Sequence, residues 1–293
     1  MILSMTAPFD INWYIVKDWV YYHNKIGVDN FVICGVNTNK KLYEEILELK
    51  SNGFQILYYE INAKTDFRVG QLKTEMALKA KNELMSDWII SNDSDEFFYL
   101  RSHNLKSLIR KYCAKFNSLY FSRFNMLPIN EGDLPSPPRS QKYLAIKPIE
   151  ISNNCKDFFD CEILEYLLRP VGGKMIFKAN DLVSVDTGSH FIELSNKATT
   201  SIDPKTGFVV HYPYYKLSTT LKEQKLRTAS LGTNSEIDKP GWHRRYMLHL
   251  ISENKLEIFY RNMYSSTTPK SITSYLEKGV VVEFEEIRKI LNS

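Results

Sequence analysis

A chain of 293 residues, 43% hydrophobic and 25% charged, has room for one large globular domain, or one domain with an extension. Its formal net charge of +4, with acids and bases interspersed, excludes a nucleic-acid surface built on basic blocks. No apolar run approaches the roughly 20 residues of a membrane-spanning helix, and Met1–Met5 is too short for a signal peptide. Cys34, Cys113, Cys155 and Cys161 lack paired spacing and read as reduced thiols of a cytosolic protein. The 18 Tyr, 16 Phe and 4 Trp suit stacking on a sugar or base, and equally the filling of a core.

In chain order, Ile2–Met5 predicts a short first strand that Thr6-Ala7-Pro8-Phe9-Asp10 breaks. Asp10 then caps a helix over residues 11–25. Trp13, Val16, Val20 and His23 share one stripe of that helix, which gives His23 a structural role, and Gly27 ends it. Residues 29–34 read as a second strand, 35–39 as a polar loop, 41–51 as a helix that Gly53 stops, and 54–61 as a third strand. A helix over 71–86, with Leu72, Met76, Ala80 and Leu84 on one face, leads to the short buried strand Trp88-Ile89-Ile90. Such alternation predicts an α/β fold with a parallel, doubly wound sheet. Beyond it come a helix over 105–116, a strand over 118–124 and a Pro- and acid-rich loop over 130–139. Strands are expected at 174–178, 183–185 and 209–212, and helices at about 217–230, 242–252, 255–263 and 282–291. A boundary near residue 213 separates an α/β domain, 1–213, from a helical C-terminal region, 214–293, packed on it.

The Trp88 strand runs straight into Asp93, Asp95 and Glu96. Carboxylates beside a core strand are costly unless something positive neutralises them. In an extended segment residues 93 and 95 share a face, at the strand end where open α/β sheets bind ligands. Such a pair can hold magnesium or manganese together with substrate phosphates, or it can be a solvated acidic turn.

Several further pieces stand in order across roughly residues 1–230. They are Asp18-Trp19-Val20-Tyr21-Tyr22-His23, Ile26-Gly27-Val28-Asp29-Asn30-Phe31, Arg68-x-x-Gln71, Trp88-Ile89-Ile90 and Asp93-Ser94-Asp95-Glu96-Phe97. Lys174-Met175-Ile176, Ser189-His190, and His211-Tyr212 with Lys216 and Ser218 complete the set. Together they resemble the family-2-like and family-92-like glycosyltransferases. The resemblance implies the GT-A fold, a Rossmann-like, mostly parallel sheet flanked by helices, here with a helical C-terminal extension. In that fold an Asp-x-Asp motif holds manganese or magnesium on the diphosphate of a nucleotide-sugar, and a later histidine completes the metal shell. Carried over, Asp93 and Asp95 are the metal and diphosphate residues, and Glu96 supports them or touches the sugar. His190 is the first choice as metal ligand and His211 the second, against the ordinary role of a hydrogen-bonded structural histidine. Arg68 and Lys174 offer cations to phosphate, or form exposed salt bridges. Gln71, at a helix start after Gly70, reaches a base or ribose, or faces water. Two departures bear on base recognition: Thr6-Ala7-Pro8 stands where Asn-Glu is common, and Val36-Asn37-Thr38-Asn39 where an aspartate is common.

The activity so implied is a metal-dependent glycosyltransfer from a nucleoside-diphosphate sugar, a UDP-sugar being expected. The acceptor is the hydroxyl of a glycan or lipid-linked glycan, in bacterial surface-polysaccharide assembly. The expected place is the cytoplasm at the inner membrane face, where C-terminal helices with Trp242, Tyr246, Phe259 and Tyr260 rest on the surface or complete the fold. An inverting transfer needs a base for the acceptor hydroxyl. Glu131, Asp133, Asp157, Asp160 and Glu162 are candidates, with Asp160 preferred because Phe158 and Phe159 beside it would desolvate it. The alternatives are a nucleotidyltransferase and a non-catalytic nucleotide- or glycan-binding module on the same scaffold. The first would show a phosphate-binding loop where Ser4-Met5-Thr6-Ala7 stands.

Overall fold

The computed structural model describes residues 1–10, 13–38, 40–62, 69–127, 141–147, 168, 171–212, 250–258 and 269–293. Strand β1 (Leu3–Phe9), helix α1 (Val16–Lys25), β2 (Asn30–Val36), α2 (Lys40–Ser51), β3 (Gln55–Ile61), α3 (Val69–Glu83) and β4 (Trp88–Ser91) realise the expected alternation. After a turn come β5 (Glu96–Leu100), α4 (Leu105–Tyr112), β6 (Ser118–Asn125) and β7 (Tyr143–Ala145). Next are β8 (Val171–Lys178), β9 (Leu182–Val185), β10 (Ile192–Leu194), β11 (Thr199–Ile202) and β12 (Gly207–His211). Helix α5 (Pro269–Glu277), β13 (Val281–Glu283) and α6 (Glu286–Asn292) close the described chain.

Among the described residues one nine-stranded sheet runs β3-β2-β1-β4-β8-β6-β12-β5, with β11 added beside β6. The first four strands are parallel, β8 is antiparallel to both neighbours, and β12 is parallel to β6 but antiparallel to β5. The sheet is thus mostly parallel, as expected. Strand β2 shows why helices cover both faces. Its Phe31 and Ile33 join Leu3, Met5, Trp19, Val20 and Ile46 in one core, while Val32 and Cys34 join Leu72, Met76 and Ala80 of α3 in the other. A strand buried on both sides reads as a continuous apolar run, which is what Phe31–Cys34 is.

Three expectations are corrected. Strand β1 is not broken at Thr6 but continues through Pro8 to Phe9. Thr6 O accepts from the Asn92 N–H on the β4 side, and Pro8, two residues on, turns the same way. Its missing N–H therefore faces the side where pairing to β4 has ended at Thr6–Ser91, so no ladder bond is lost. The first helix does not start at the Asp10 cap; a 3₁₀ turn at Trp13–Ile15 precedes α1. The last expected helix gives up its first residues to β13, which pairs antiparallel with β7.

The C-terminal segment packs back on the domain. Lys25 Nζ donates to Ile290 O at 3.2 Å, and the Phe284 ring meets Tyr99 with 5.0 Å between centroids. The expected helices over 217–230 and at 242–249 and 259–263 lie outside the described residues, as do the acid-rich loop and the 213/214 boundary. Among the described residues no helix is long and apolar enough to cross a membrane.

Candidate active site

The site begins with how the acidic turn is held. Trp19 of α1 donates its indole N–H to Glu96 O at 3.1 Å, and Tyr22 its hydroxyl to Phe98 O at 2.9 Å. His23 Nδ1 donates to Trp19 O at 2.8 Å, while its Nε2 accepts the Phe98 N–H at 3.3 Å. Trp19 and His23, one helical turn apart, therefore clamp the strand that leaves the turn. His23 is structural, as expected, and burial pushes its imidazole down to about 3. Asp29 is structural too, accepting the Leu3 N–H at 2.9 Å and pairing with Lys106 at 2.5 Å.

Asp93 and Asp95 do not share a face. A turn at Ser94–Asp95 intervenes, and it sends the two carboxylates to different partners. Asp93 Oδ1 lies 2.6 Å from Lys73 Nζ and its Oδ2 2.5 Å from Lys174 Nζ. Lys174 also reaches Glu96 Oε2 at 3.0 Å, and Glu96 Oε1 is 2.5 Å from Arg123 Nη1. Lys174 and Glu96 are fully buried, so of the two readings of Lys174 the exposed salt bridge does not hold. Burial alone would raise the Asp93 carboxyl, but the Lys174 and Lys73 ammoniums overcome it and hold the group far below the usual carboxylate range. Burial opposes charge on Lys174 as well, yet Asp93 and Glu96 keep it above its ordinary value. Lys73 goes the other way: burial outweighs Asp93, and Lys174 adds repulsion. Glu96 is lowered because Lys174 and Arg123 offset its burial and the repulsion from Asp93.

Asp95 points elsewhere. Its Oδ2 is 3.6 Å from His211 Nε2, and its main-chain oxygen accepts the Tyr212 N–H at 2.9 Å. Sheet register makes this meeting. His211 pairs with Glu96 across β5–β12 and with Asn125 across β6–β12, and Asn125 Oδ1 accepts a hydrogen bond from His211 Nδ1 at 2.8 Å. His190 lies apart from this pair in the hydrogen-bond network: its Nδ1 donates to Gly173 O at 2.9 Å. Burial, then the Lys174 and Arg123 charges, lower its imidazole, which favours the neutral ring.

The remaining expected residues divide. Gln71 is exposed on the first turn of α3, facing water. Arg68 and the preferred base Asp160 lie outside the described residues, as do Glu131, Asp133, Asp157 and Glu162. Lys73 and Arg123 were not anticipated. Lys73 carried a legible signal, since it stands on the stripe of Leu72, Met76, Ala77 and Ala80 that packs into the core. A lysine on such a stripe is buried and needs an anion.

A divalent ion fits one of these arrangements. Asp95 supplies a hard oxygen and His211 a ring nitrogen, Nε2, which the Nδ1 bond to Asn125 turns toward it. Both Asp93 oxygens are engaged by ammonium groups, so Asp93 does not fit as it stands. Among the described residues no group of three His, Cys, Asp or Glu gathers to hold a metal. An ion on Asp95 and His211 would take its other ligands from water and a diphosphate, as magnesium commonly does.

The sequence pattern of glycosyltransferase family 92 matches residues 7–245. The chain belongs to glycosyltransferase family 92. A family 92 protein of Arabidopsis thaliana is 22% identical over 262 residues, covering 82% of this chain and 42% of the relative. The chain therefore spans less than half the length of that curated relative. Among solved structures it aligns with TarS of S. aureus at 12% identity, covering 87% of this chain and 43% of that one, with TM-score 0.37. It also aligns with the mannosyltransferase PcManGT of Pyrobaculum calidifontis, solved with GDP-Man and Mn2+, at 9% identity and TM-score 0.40, covering 94% and 79%. The opening that marks the family 92 resemblance, Trp19 to Asp29, is scaffold in this chain. It holds the acidic turn through Trp19, Tyr22 and His23, and ties Asp29 to Leu3 and Lys106.

Proposed function

We propose that this family 92 chain is a metal-dependent glycosyltransferase that moves a sugar from a nucleoside-diphosphate sugar, a UDP-sugar being the expected donor, to a glycan hydroxyl. The meeting of Asp95 and His211 carries the reading. His211 Nδ1 donates to Asn125 Oδ1, which turns Nε2 toward a carboxylate oxygen 3.6 Å away. Two acceptors at that distance repel unless a cation lies between them, either a second proton or a metal ion. The surrounding charges favour the metal. Lys73, Lys174 and Arg123 balance Asp93, Asp95 and Glu96, so a diphosphate arriving here has to bring its own counter-charge.

When bound, the ion would neutralise charge developing on the departing diphosphate. The chain's own residues hold Asp95 and His211 at that spacing and turn Nε2 toward the carboxylate. For the nucleoside, a groove of about 500 Å3 lies among Thr38, Lys40, Tyr43, Tyr58 and Glu60. The Tyr43 and Tyr58 rings, 5.9 Å apart, offer a stacking surface and Glu60 an acceptor for a ribose. From β3 to β4 is three strand spacings, about 14 Å, on the order of an extended nucleoside diphosphate. The preferred base remains Asp160, and the expected acceptor, a lipid-linked or surface polysaccharide glycan, rests on the sequence resemblance alone.

The test is thermal unfolding with UDP, GDP, CDP and ADP, each with and without Mn2+. A ligand selective for the folded state raises Tm. One diphosphate should stabilise the protein only with metal, and Asp95→Asn and His211→Asn should each lose that increment while folding normally. If no diphosphate stabilises at millimolar concentration with Mn2+, the reading fails. A binding module would give the same shift but release no free nucleoside diphosphate from the donor, which a turnover assay separates.

A further inference from the structure

Asp93 is the carboxylate that the cation reading leaves unused, and its neighbours assign it other work. Both lysines on it also reach the loop of residues 186–190. Lys73 Nζ, from α3, donates to Ser189 Oγ at 2.8 Å, and Lys174 Nζ, from β8, to Gly188 O at 2.6 Å. Ser189 Oγ is in turn 2.8 Å from Ser91 Oγ, at the end of β4. Ser189 has φ +53°, a left-handed conformation that a serine adopts only when its surroundings hold it there. Lys174 and Ser189 are 0% exposed and Lys73 1%. A helix and a strand thus meet on one carboxylate, the same two lysines tie it to the loop that β4 also holds, and the next residue along the loop is His190.

We propose that Asp93 is a positioning residue: it is the shared anion of a two-lysine lock, Lys73 and Lys174, that fixes loop 186–190, and His190 with it, against the turn carrying Asp95. The placement of this lock at a working centre rests on the glycosyltransferase reading; the lock itself does not. Without Asp93 the two ammonium groups lose the anion they share and repel each other. Lys174 keeps Glu96, Lys73 keeps no paired carboxylate among the described residues, and the ties to the loop weaken. Removing Asp93 therefore frees the loop without removing a cation ligand. Removing Lys73 leaves Asp93 with Lys174 and cuts only the Ser189 tie, a milder cut of the same kind.

The experiment compares wild type, Asp93→Asn, Asp95→Asn and Lys73→Met on the full chain. Three readouts are taken: Mn2+ affinity with UDP by electron paramagnetic resonance, amide hydrogen exchange, and donor turnover per folded molecule. Asp93→Asn is expected to keep Mn2+ affinity within about threefold while exchange in residues 186–191 rises about tenfold or more and that of β1 and β2 is unchanged. Lys73→Met, which serves if Asp93→Asn does not fold, should show the same loop signature. It should also lower kcat about tenfold at a donor KM within about threefold, because misplacement costs turnover where donor contacts survive. The proposal is overturned if Asp93→Asn loses Mn2+ as completely as Asp95→Asn, or if Lys73→Met leaves loop exchange and kcat at wild-type values. If wild type binds no Mn2+ and turns over no nucleotide-sugar, the glycosyltransferase reading falls, and the exchange comparison alone decides the lock.

Discussion

The indole nitrogen of Trp19 lies 3.1 Å from the main-chain oxygen of Glu96, 77 residues away along the chain. That bond joins the first helix to the strand leaving the acidic turn, and it gives the Trp-x-x-x-His pattern a mechanical meaning. Trp19 is fully buried, with its ring edge-on to Phe9 at 5.5 Å and to Phe31 at 5.6 Å.

Trp19→Phe should therefore destabilise the protein without abolishing the fold. Glu96 O keeps a second donor, Asn92 Nδ2 at 2.9 Å, so the loss is one hydrogen bond plus the space left by the smaller ring. About 2–3 kcal/mol is expected, or a fall in Tm of roughly 5–10 °C. Differential scanning calorimetry checks this; an unchanged Tm would mean the clamp carries no strain-bearing load.

His23 gives the stability a pH dependence of defined sign. Its folded-state value, about 3, lies below the ordinary 6.5 because burial disfavours the imidazolium. Protonation would also cost Nε2 its acceptor role toward the Phe98 N–H. The unfolded chain takes up the proton first as pH falls. The contribution is thus fully present above pH 6.5 and is lost between 6.5 and about 3, at about 1.4 kcal/mol per pH unit. His23→Asn should be less stable at pH 7 yet show a shallower acid slope over that window in urea titrations. Parallel slopes for the two proteins would assign the acid sensitivity to other groups.

Two glycines beside His190 separate fold from function. A Cβ on Gly173 would meet Phe121 O at 2.0 Å and the Tyr120 ring at 2.6 Å, both on β6. Backbone cannot step aside, so Gly173→Ala should cost at least about 3 kcal/mol and give poorly folded protein. A Cβ on Gly188 would instead meet His190 Cδ2 at 2.3 Å, a side chain that can swing away. Gly188→Ala should stay folded, with Tm near wild type, and lose donor turnover if His190 works where it stands. Circular dichroism with a nucleotide-release assay tells the two variants apart; equal folding of both would contradict the close approach at Gly173.

Much of the architecture was legible along the chain because its signals are local. The apolar run Phe31–Cys34, the stripe of Leu72, Met76 and Ala80, and the passage from Trp88-Ile89-Ile90 into acids each lie within one element. Together they determined the α/β alternation and pointed to a candidate site at the end of β4. Pro8 misled because a proline reads as a breaker until its free side in the sheet is known.

The pairing of charges was decided only in three dimensions. Asp93 and Asp95 are neighbours in sequence, but one faces two lysines and the other a histidine, because a turn reverses the face that an extended segment would share. Lys73, Arg123, Lys174 and His211 come from four elements; sheet register sets which carboxylate the three strand residues meet, and the packing of α3 on the sheet sets it for Lys73. Periodicity tells a residue which way to face, inward or out. It does not say who stands opposite, since that depends on strand order and register set by the packing of the whole core.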